Sequence, residues 1–365
     1  MSDYWKNNSM DPSSTLHPPP STPYYFCTYF DSNYLIRGLA LYRSLVRYAH
    51  PFRLWVLCLD DLTYEILQKL AVPEVTLIPL KDFERGDEEL LQAKGNRSPI
   101  EYYFTCTPSL PIYVLKNHPQ VDIITYLDAD LFFFSDPSPI YRELNSGSVL
   151  IVGHRFSPRL KHLEVYGIYN VALLSFRRDE MALDCLHWWR SRCLEWCYDR
   201  LEDGRFGDQK YLDDWPARFP GVVVVQHKGA DLALWNLENH SLSLHNGQVT
   251  VYSQPLVFFH FQGLKQIRQW LYDPDLGRSG VHTNSVLKQC IYGPYIRELR
   301  QATRLVSRVI DQSYIPMHSI RTISPMEPLR GDILHATVEQ VKHRFSIARR
   351  ILRNDLWVVV AGRIV

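Results

Sequence analysis

Residues 121–137 read Val121-Asp122-Ile123-Ile124-Thr125-Tyr126-Leu127-Asp128-Ala129-Asp130-Leu131-Phe132-Phe133-Phe134-Ser135-Asp136-Pro137. An apolar, β-rich run here delivers two carboxylates two positions apart. Such a run reads as a parallel strand buried on both faces, and open α/β sheets present ligand groups at strand carboxyl ends. Asp128 and Asp130 therefore mark a place for a hard divalent cation, Mn²⁺ or Mg²⁺. These ions take carboxylate oxygens and keep positions open for phosphate oxygens. Side chains two apart on an ideal strand share one ion only if the backbone leaves full extension there. An Asx turn that merely ends a strand is the plain alternative. Leu131 to Phe134 argue against it, because they place the pair beside a core. Two unpaired carboxylates there would be costly to bury without a cation.

Upstream of this segment the pattern alternates. Residues 24–30 form a strand, and Asp31, Ser32 and Asn33 supply N-cap chemistry. Leu35, Leu39, Tyr42 and Val46 then recur at helical spacing. Residues 54–59 and 75–78 are further strands, with a short helix capped by Thr63 between them. Residues 84–99 read as a loop, and Thr107-Pro108 opens a helix to about Lys116. Strands alternating with helices predict an α/β fold with a mixed, mainly parallel, Rossmann-like sheet flanked by helices. Downstream, residues 149–152, 168–176 and 222–225 read as strands and 180–200 as a long helix. Asp208 starts a helical turn, and residues 249–252 with 257–261 look like a hairpin pair. The expected organisation is a disordered Pro/Ser-rich tail over 1–22, a domain over 23–265, and a basic helical C-terminal extension over 266–365.

Composition narrows the function classes. Forty Lys and Arg against 39 Asp and Glu leave a formal charge of +1, which excludes a general nucleic-acid binder. The 9 Trp and 22 Tyr supply rings of the kind that sugar-binding surfaces use. Seven cysteines form an odd set scattered over apolar segments. Cys193 and Cys197 lack a second pair to complete a zinc site, so a reduced, cytoplasmic compartment is expected. The first residues are polar, with no apolar leader, and no apolar run reaches spanning length.

Four segments in order resemble the family 8 glycosyltransferases of the GT-A fold and their relatives. They are Thr28-Tyr29-Phe30-Asp31-Ser32-Asn33-Tyr34 with Gly38 to Leu45, Tyr126-Leu127-Asp128-Ala129-Asp130, Gly207-Asp208-Gln209, and His260-Phe261-Gln262-Gly263. The resemblance covers about residues 24–270. It implies a nucleotide-diphosphate sugar donor, UDP-linked by preference, and transfer of a hexose to a glycan or lipid-linked glycan with retention at the anomeric carbon. It implies a metal site of Asp128, Asp130 and His260 holding Mn²⁺ or Mg²⁺. Thr28, Tyr29 and Asp31 are placed at the nucleotide and Asn170 at the donor. Asp208 is placed on the sugar hydroxyls, and Gln209 near the anomeric carbon. Gly263 would let the backbone approach the diphosphate, and Lys265 would bind it. Lys265 comes one residue earlier than the family's lysine and lacks the Pro-Trp that follows, so Arg268 is its rival. The family's arginine upstream of the Asp pair is missing, with Arg97 or Lys94 as substitutes. Ala172 replaces a family glycine.

Residues 227–231 with Trp235 and Asn236 form a polar-aromatic cluster that reads as a sugar wall. A haloacid-dehalogenase-type phosphohydrolase is the rival enzyme, but it expects Thr or Val where Phe132 stands and gives His260 no role. A non-catalytic nucleotide-sugar-binding protein is the other alternative. Near the end, Val338, Val341, Phe345, Ala348 and Leu352 share a helical face among basic residues, and an apolar run follows over 356–360. Peripheral contact with anionic lipid and packing on the protein's own core are the two expectations for it.

Overall fold

The computed structural model describes residues 23–281, 283–310, 350, 355–360 and 363–364. Three parallel strands, β1 (Tyr24–Phe30), β2 (Phe52–Cys58) and β3 (Val75–Pro79), are linked by α1 (Leu35–Tyr48) and α2 (Asp61–Leu70). After α3 (Glu88–Lys94), α4 (Pro99–Cys106) and α5 (Ser109–Asn117), β4 (Ile123–Leu127) joins the free side of β1. Then come β5 (Leu131–Phe133), α6 (Ser138–Leu144), β6 (Val149–Gly153), β7 (Tyr169–Arg177), α7 (Glu180–Glu195) and β8 (Val222–Val224). The main sheet runs in the order β3-β2-β1-β4-β7-β6-β8, with β7 antiparallel to both neighbours. This is the mixed, mainly parallel α/β architecture expected of a GT-A domain.

Strand alternation divides the sheet's side chains between two cores. Phe26, Leu54 and Val56 pack with Leu39 and Leu45 of α1 and Leu67 of α2. Cys27, Trp55 and Leu57 pack with Leu110 and Val114 of α5 and Leu186 and Trp189 of α7. Helices on both faces are what near-continuous apolar strands require. Two local expectations shift. The cap of α2 is Asp60, whose carboxylate accepts from the Thr63 N–H at 2.7 Å. Residues 88–94 are helical rather than loop, because Asp87 accepts from the Leu90 N–H at 3.0 Å and caps them.

Strands β9 (Leu242–His245), β10 (Gln248–Val251) and β11 (Gln254–Pro255) form a small sheet of their own. Strand β12 (Phe258–His260) does not pair with β10 as expected. It runs antiparallel to β5 and sets His260 opposite Leu131. Phe258 packs on Phe133, with ring centroids 5.5 Å apart.

The segment from 266 begins as sheet, not helix. Strands β13 (Lys265–Arg268), β14 (Leu271–Asp273), β15 (Trp357–Val360) and β16 (Arg363–Ile364) lie side by side. A π-helical stretch, Val286–Tyr292, then runs into α8 (Gly293–Val306). Tyr292, Tyr295 and Trp357 pack with Phe132, Phe259 and Phe261 in a third core. The apolar run over 356–360 is therefore mostly interior: Leu356 is 1% and Trp357 0% exposed, while Val360 at its end is exposed. The expected tail over 1–22 and most of the helical face over 338–352 lie outside the described residues. Among the described residues no helix is long and apolar enough to cross a membrane.

Candidate active site

Asp128-Ala129-Asp130 is the whole connection between β4 and β5. The Leu131 N–H donates back to the Asp128 carbonyl at 3.2 Å, so the chain turns here and the two carboxylates converge. Pairing of β12 with β5 adds His260. Its Nε2 lies 3.1 Å from Asp130 Oδ1 and 3.8 Å from Asp128 Oδ2. One ligand atom from each of the three residues falls within 4.8 Å of the others. Two carboxylate oxygens and an imidazole nitrogen so placed could hold a divalent metal ion. The far side of the ring fits as well. Nδ1 faces the acceptor Asp231 Oδ1 at 3.7 Å. A proton directed from Nδ1 toward that carboxylate leaves the Nε2 lone pair facing Asp128 and Asp130.

Burial raises the Asp128 carboxyl to about 6, against the pull of His260, and the Tyr126 hydroxyl donates to it at 2.9 Å. Burial also acts to raise Asp130, but His260 and Arg37 outweigh it and hold this carboxyl below its ordinary value. Burial alone would depress the His260 imidazole. The Asp130 carboxylate reverses that and holds it well above the usual range. A proton and a divalent cation thus compete for the same Nε2 lone pair. Arg37 stands 3.7 Å from Asp130, donates to the Leu264 carbonyl at 2.7 Å and lies over the Tyr34 ring.

The trio lies in a cavity of about 580 Å³, shared with Tyr29, Asp31, Asn170, Asp208 and Gln209. The Tyr29 hydroxyl hydrogen-bonds Thr107 Oγ1 at 3.0 Å. Asp31 accepts from the Asn33 and Tyr34 N–H groups at 3.0 and 3.2 Å, so it shapes the turn into α1 and lines the cavity as well. Asp208 is 6% exposed, and burial pushes its carboxyl up to about 7, with Thr107 countering. Gly207 before it has φ +49°, a left-handed turn that suits glycine. The Gln209 amide donates to the Tyr166 carbonyl at 3.2 Å. Asn170 is clamped, accepting from the Ala172 N–H at 3.2 Å and donating to Asp231 at 3.1 Å.

Other expected residues do not reach the cavity wall. Thr28 is wholly buried one position inside β1, and the lining begins at Tyr29. Lys265 sits on β13 with its ammonium 3.7 Å from Asp275 and does not line the cavity. Gly263 turns with φ +90°, but Asp275 takes the space beside its Cα, 3.3 Å from where a Cβ would stand. Arg268 is exposed on the same strand. Lys94 pairs with Glu84 at 2.6 Å, and Arg97 donates to the Tyr198 hydroxyl at 2.6 Å and to the end of α7. Of the polar-aromatic cluster over 227–236, Trp235 lines the cavity. Asp231 is fully buried behind His260, and Asn236 donates to the carbonyls of His154 and Asp231 at 2.9 and 2.8 Å.

Sequence reading passed over Arg37 and His154 here, and read Asp231 as part of a sugar wall rather than as a partner of His260. Arg37 is one helical turn beyond Asn33, but its partner Asp130 is visible only in the fold. Asp231 carries no local signal for contact with His260. His154 lines the cavity, stacked on Phe156 with centroids 4.6 Å apart. Burial lowers its imidazole to about 4, so it is a neutral hydrogen-bonding group at neutral pH. Nothing in its sequence neighbourhood marks it.

No family model matches the chain. It is 31% identical over 309 residues to the uncharacterized protein YfnD of Bacillus subtilis (strain 168), covering 81% of this chain and 96% of YfnD. It is 35% identical over 248 residues to the uncharacterized protein YfnF of the same strain, covering 66% of this chain and 81% of YfnF. The chain belongs to the family of YfnD and YfnF. Among solved structures it is similar to the galactosyltransferase LgtC in complex with donor and acceptor sugar analogues. That likeness has a TM-score of 0.46 at 14% identity and covers 78% of this chain and 95% of LgtC.

Proposed function

We propose that this protein is a metal-dependent glycosyltransferase. It moves a hexose from a nucleotide diphosphate sugar, UDP-linked by preference, to a hydroxyl of a glycan or lipid-linked glycan, with retention, in the cytoplasm. The observation that carries the reading is the convergence of Asp128, Asp130 and His260 in one cavity with Asp208 and Gln209. Mn²⁺ or Mg²⁺ held by the first three would neutralise charge developing on the departing diphosphate, worth several kcal/mol of barrier. Arg37 adds to His260 in holding Asp130 ionised for that task. Tyr29 offers a ring to the base, and Asp31 offers a carboxylate to base or ribose from a turn already closed by its own hydrogen bonds. Asp208 and clamped Asn170 address sugar hydroxyls. Gln209, tied through its amide to Tyr166, takes the position beside the reacting carbon. The cavity's volume falls within the usual range for ligand sites. A haloacid-dehalogenase-type mechanism leaves His260, in contact with Asp130, without a role.

A panel of nucleotide sugars incubated with the protein and Mn²⁺ tests this, scored by release of nucleoside diphosphate. At least one should turn over, and Asp130→Ala should abolish it. A protein that neither hydrolyses nor binds any of them by calorimetry is not a glycosyltransferase.

A further inference from the structure

Helix α8 divides cleanly. Tyr295, Ile296, Leu299, Ala302 and Leu305 are buried, and Tyr295 stacks on Phe261 at 3.8 Å. On the other side Arg297, Arg300 and Arg304 stand at i, i+3 and i+7, one narrow stripe of a 3.6-residue helix. Arg308 prolongs the stripe in the turn that follows. The helix carries one acid, Glu298, which is buried and taken up by Arg43 and Arg47 of α1. Among the described residues no carboxylate pairs with the stripe.

The stripe is fixed to a second feature. Arg300 donates to the Gln269 carbonyl at 3.0 Å, at the tip between β13 and β14. There Trp270 is 49% exposed, and Val360 on the adjoining β15 is 56% exposed. Trp270 and Val360 are neighbours through the Val359 N–H, which donates to the Trp270 carbonyl at 2.8 Å. Arg268 is exposed on the same hairpin. A chain with a formal charge of +1 has here gathered arginines that, among the described residues, have no carboxylate partner, around exposed apolar side chains.

A partner for this face must offer anionic groups and apolar depth side by side. The surface of an anionic bilayer does so, with phosphates for the guanidinium groups and an interfacial layer for the indole and the valine. A nucleic acid would answer the arginines but leave Val360 in water. We infer that the face formed by α8 and the β13–β14 tip docks on anionic lipid. The inference does not depend on the proposed reaction. If docking occurs, the contact of Tyr295 with Phe261, next to His260, would hold the cavity at a set orientation to the bilayer.

The test is co-sedimentation of the full chain with vesicles of phosphatidylcholine alone and of phosphatidylcholine mixed with phosphatidylglycerol. Binding is expected with the mixed vesicles alone, falling as salt rises, with a blue shift of tryptophan emission. The variant Arg297→Glu/Arg304→Glu/Arg308→Glu touches only exposed positions and should bind at least ~10-fold more weakly. Trp270→Ser should lose most of the blue shift. Wild-type protein that stays in the supernatant at low salt overturns the inference. So does a triple variant that sediments like wild type, which would move the contact elsewhere on the chain. Displacement from vesicles by a short DNA duplex at equal phosphate concentration would also overturn it, in favour of a nucleic-acid surface.

Discussion

His260 Nε2 and Asp130 Oδ1 stand 3.1 Å apart, brought together by the pairing of β12 with β5 rather than by anything local to either residue. Asp130 in turn faces Arg37, so one carboxylate anchors two cations from distant parts of the chain.

Neutralising that carboxylate should therefore be felt twice. Asp130→Asn leaves His260 and Arg37 facing a group without charge, and the fold should lose about 3 kcal/mol in urea unfolding. Binding of UDP should lose its Mn²⁺ dependence, while wild type binds at least ~10-fold more tightly with Mn²⁺ than in EDTA. Calorimetry in both conditions decides. Equal wild-type affinities would remove the metal from the site.

Asp231 acts through His260. The variant Asp231→Asn should weaken Mn²⁺ binding by about 10- to 100-fold, read as free Mn²⁺ by electron paramagnetic resonance, and leave metal-free nucleotide affinity unchanged. Mn²⁺ affinity equal to wild type would confine Asp231 to holding Asn170.

Asp208 gives a pH signature. Its folded value, about 7, lies above the ordinary 3.8. The native state therefore binds the proton more tightly than the unfolded chain, and stability falls as pH rises from about 4 to about 7. Asp208→Asn removes that loss. Its melting temperature should match wild type near about pH 4 and exceed it by a few degrees near about pH 8. The same shift at both pH values would contradict the assignment.

Gly38 marks the close approach of α1 to the end of β1. A Cβ there would stand 2.3 Å from the Phe30 ring, so Gly38→Ala should cost about 1–3 kcal/mol. An unchanged urea midpoint would show that the ring has room to move.

What the sequence by itself determined is what contiguous residues carry. The apolar run of β4 and the spacing on α1 are local, so the α/β order and the Asp128/Asp130 pair were legible, whereas Asp31 closes the turn before α1 instead of capping it. Resemblance supplied His260, Asp208 and Gln209, which the fold gathers in one cavity. Tertiary structure decided the rest. It tied Lys265 to Asp275, withdrew Thr28 and Gly263 from the cavity wall, and set Arg37 and Asp231 beside the candidate metal ligands. It also turned inward Leu356, Trp357 and Val359 of a run apolar enough for a membrane, and left the membrane-like face to α8, Trp270 and Val360. The physical reason is the same throughout. Periodicity reports which side of an element avoids water, and residue type reports what a group can bind. Which surface covers that side, and which charge meets that group, is set by elements far away in the chain.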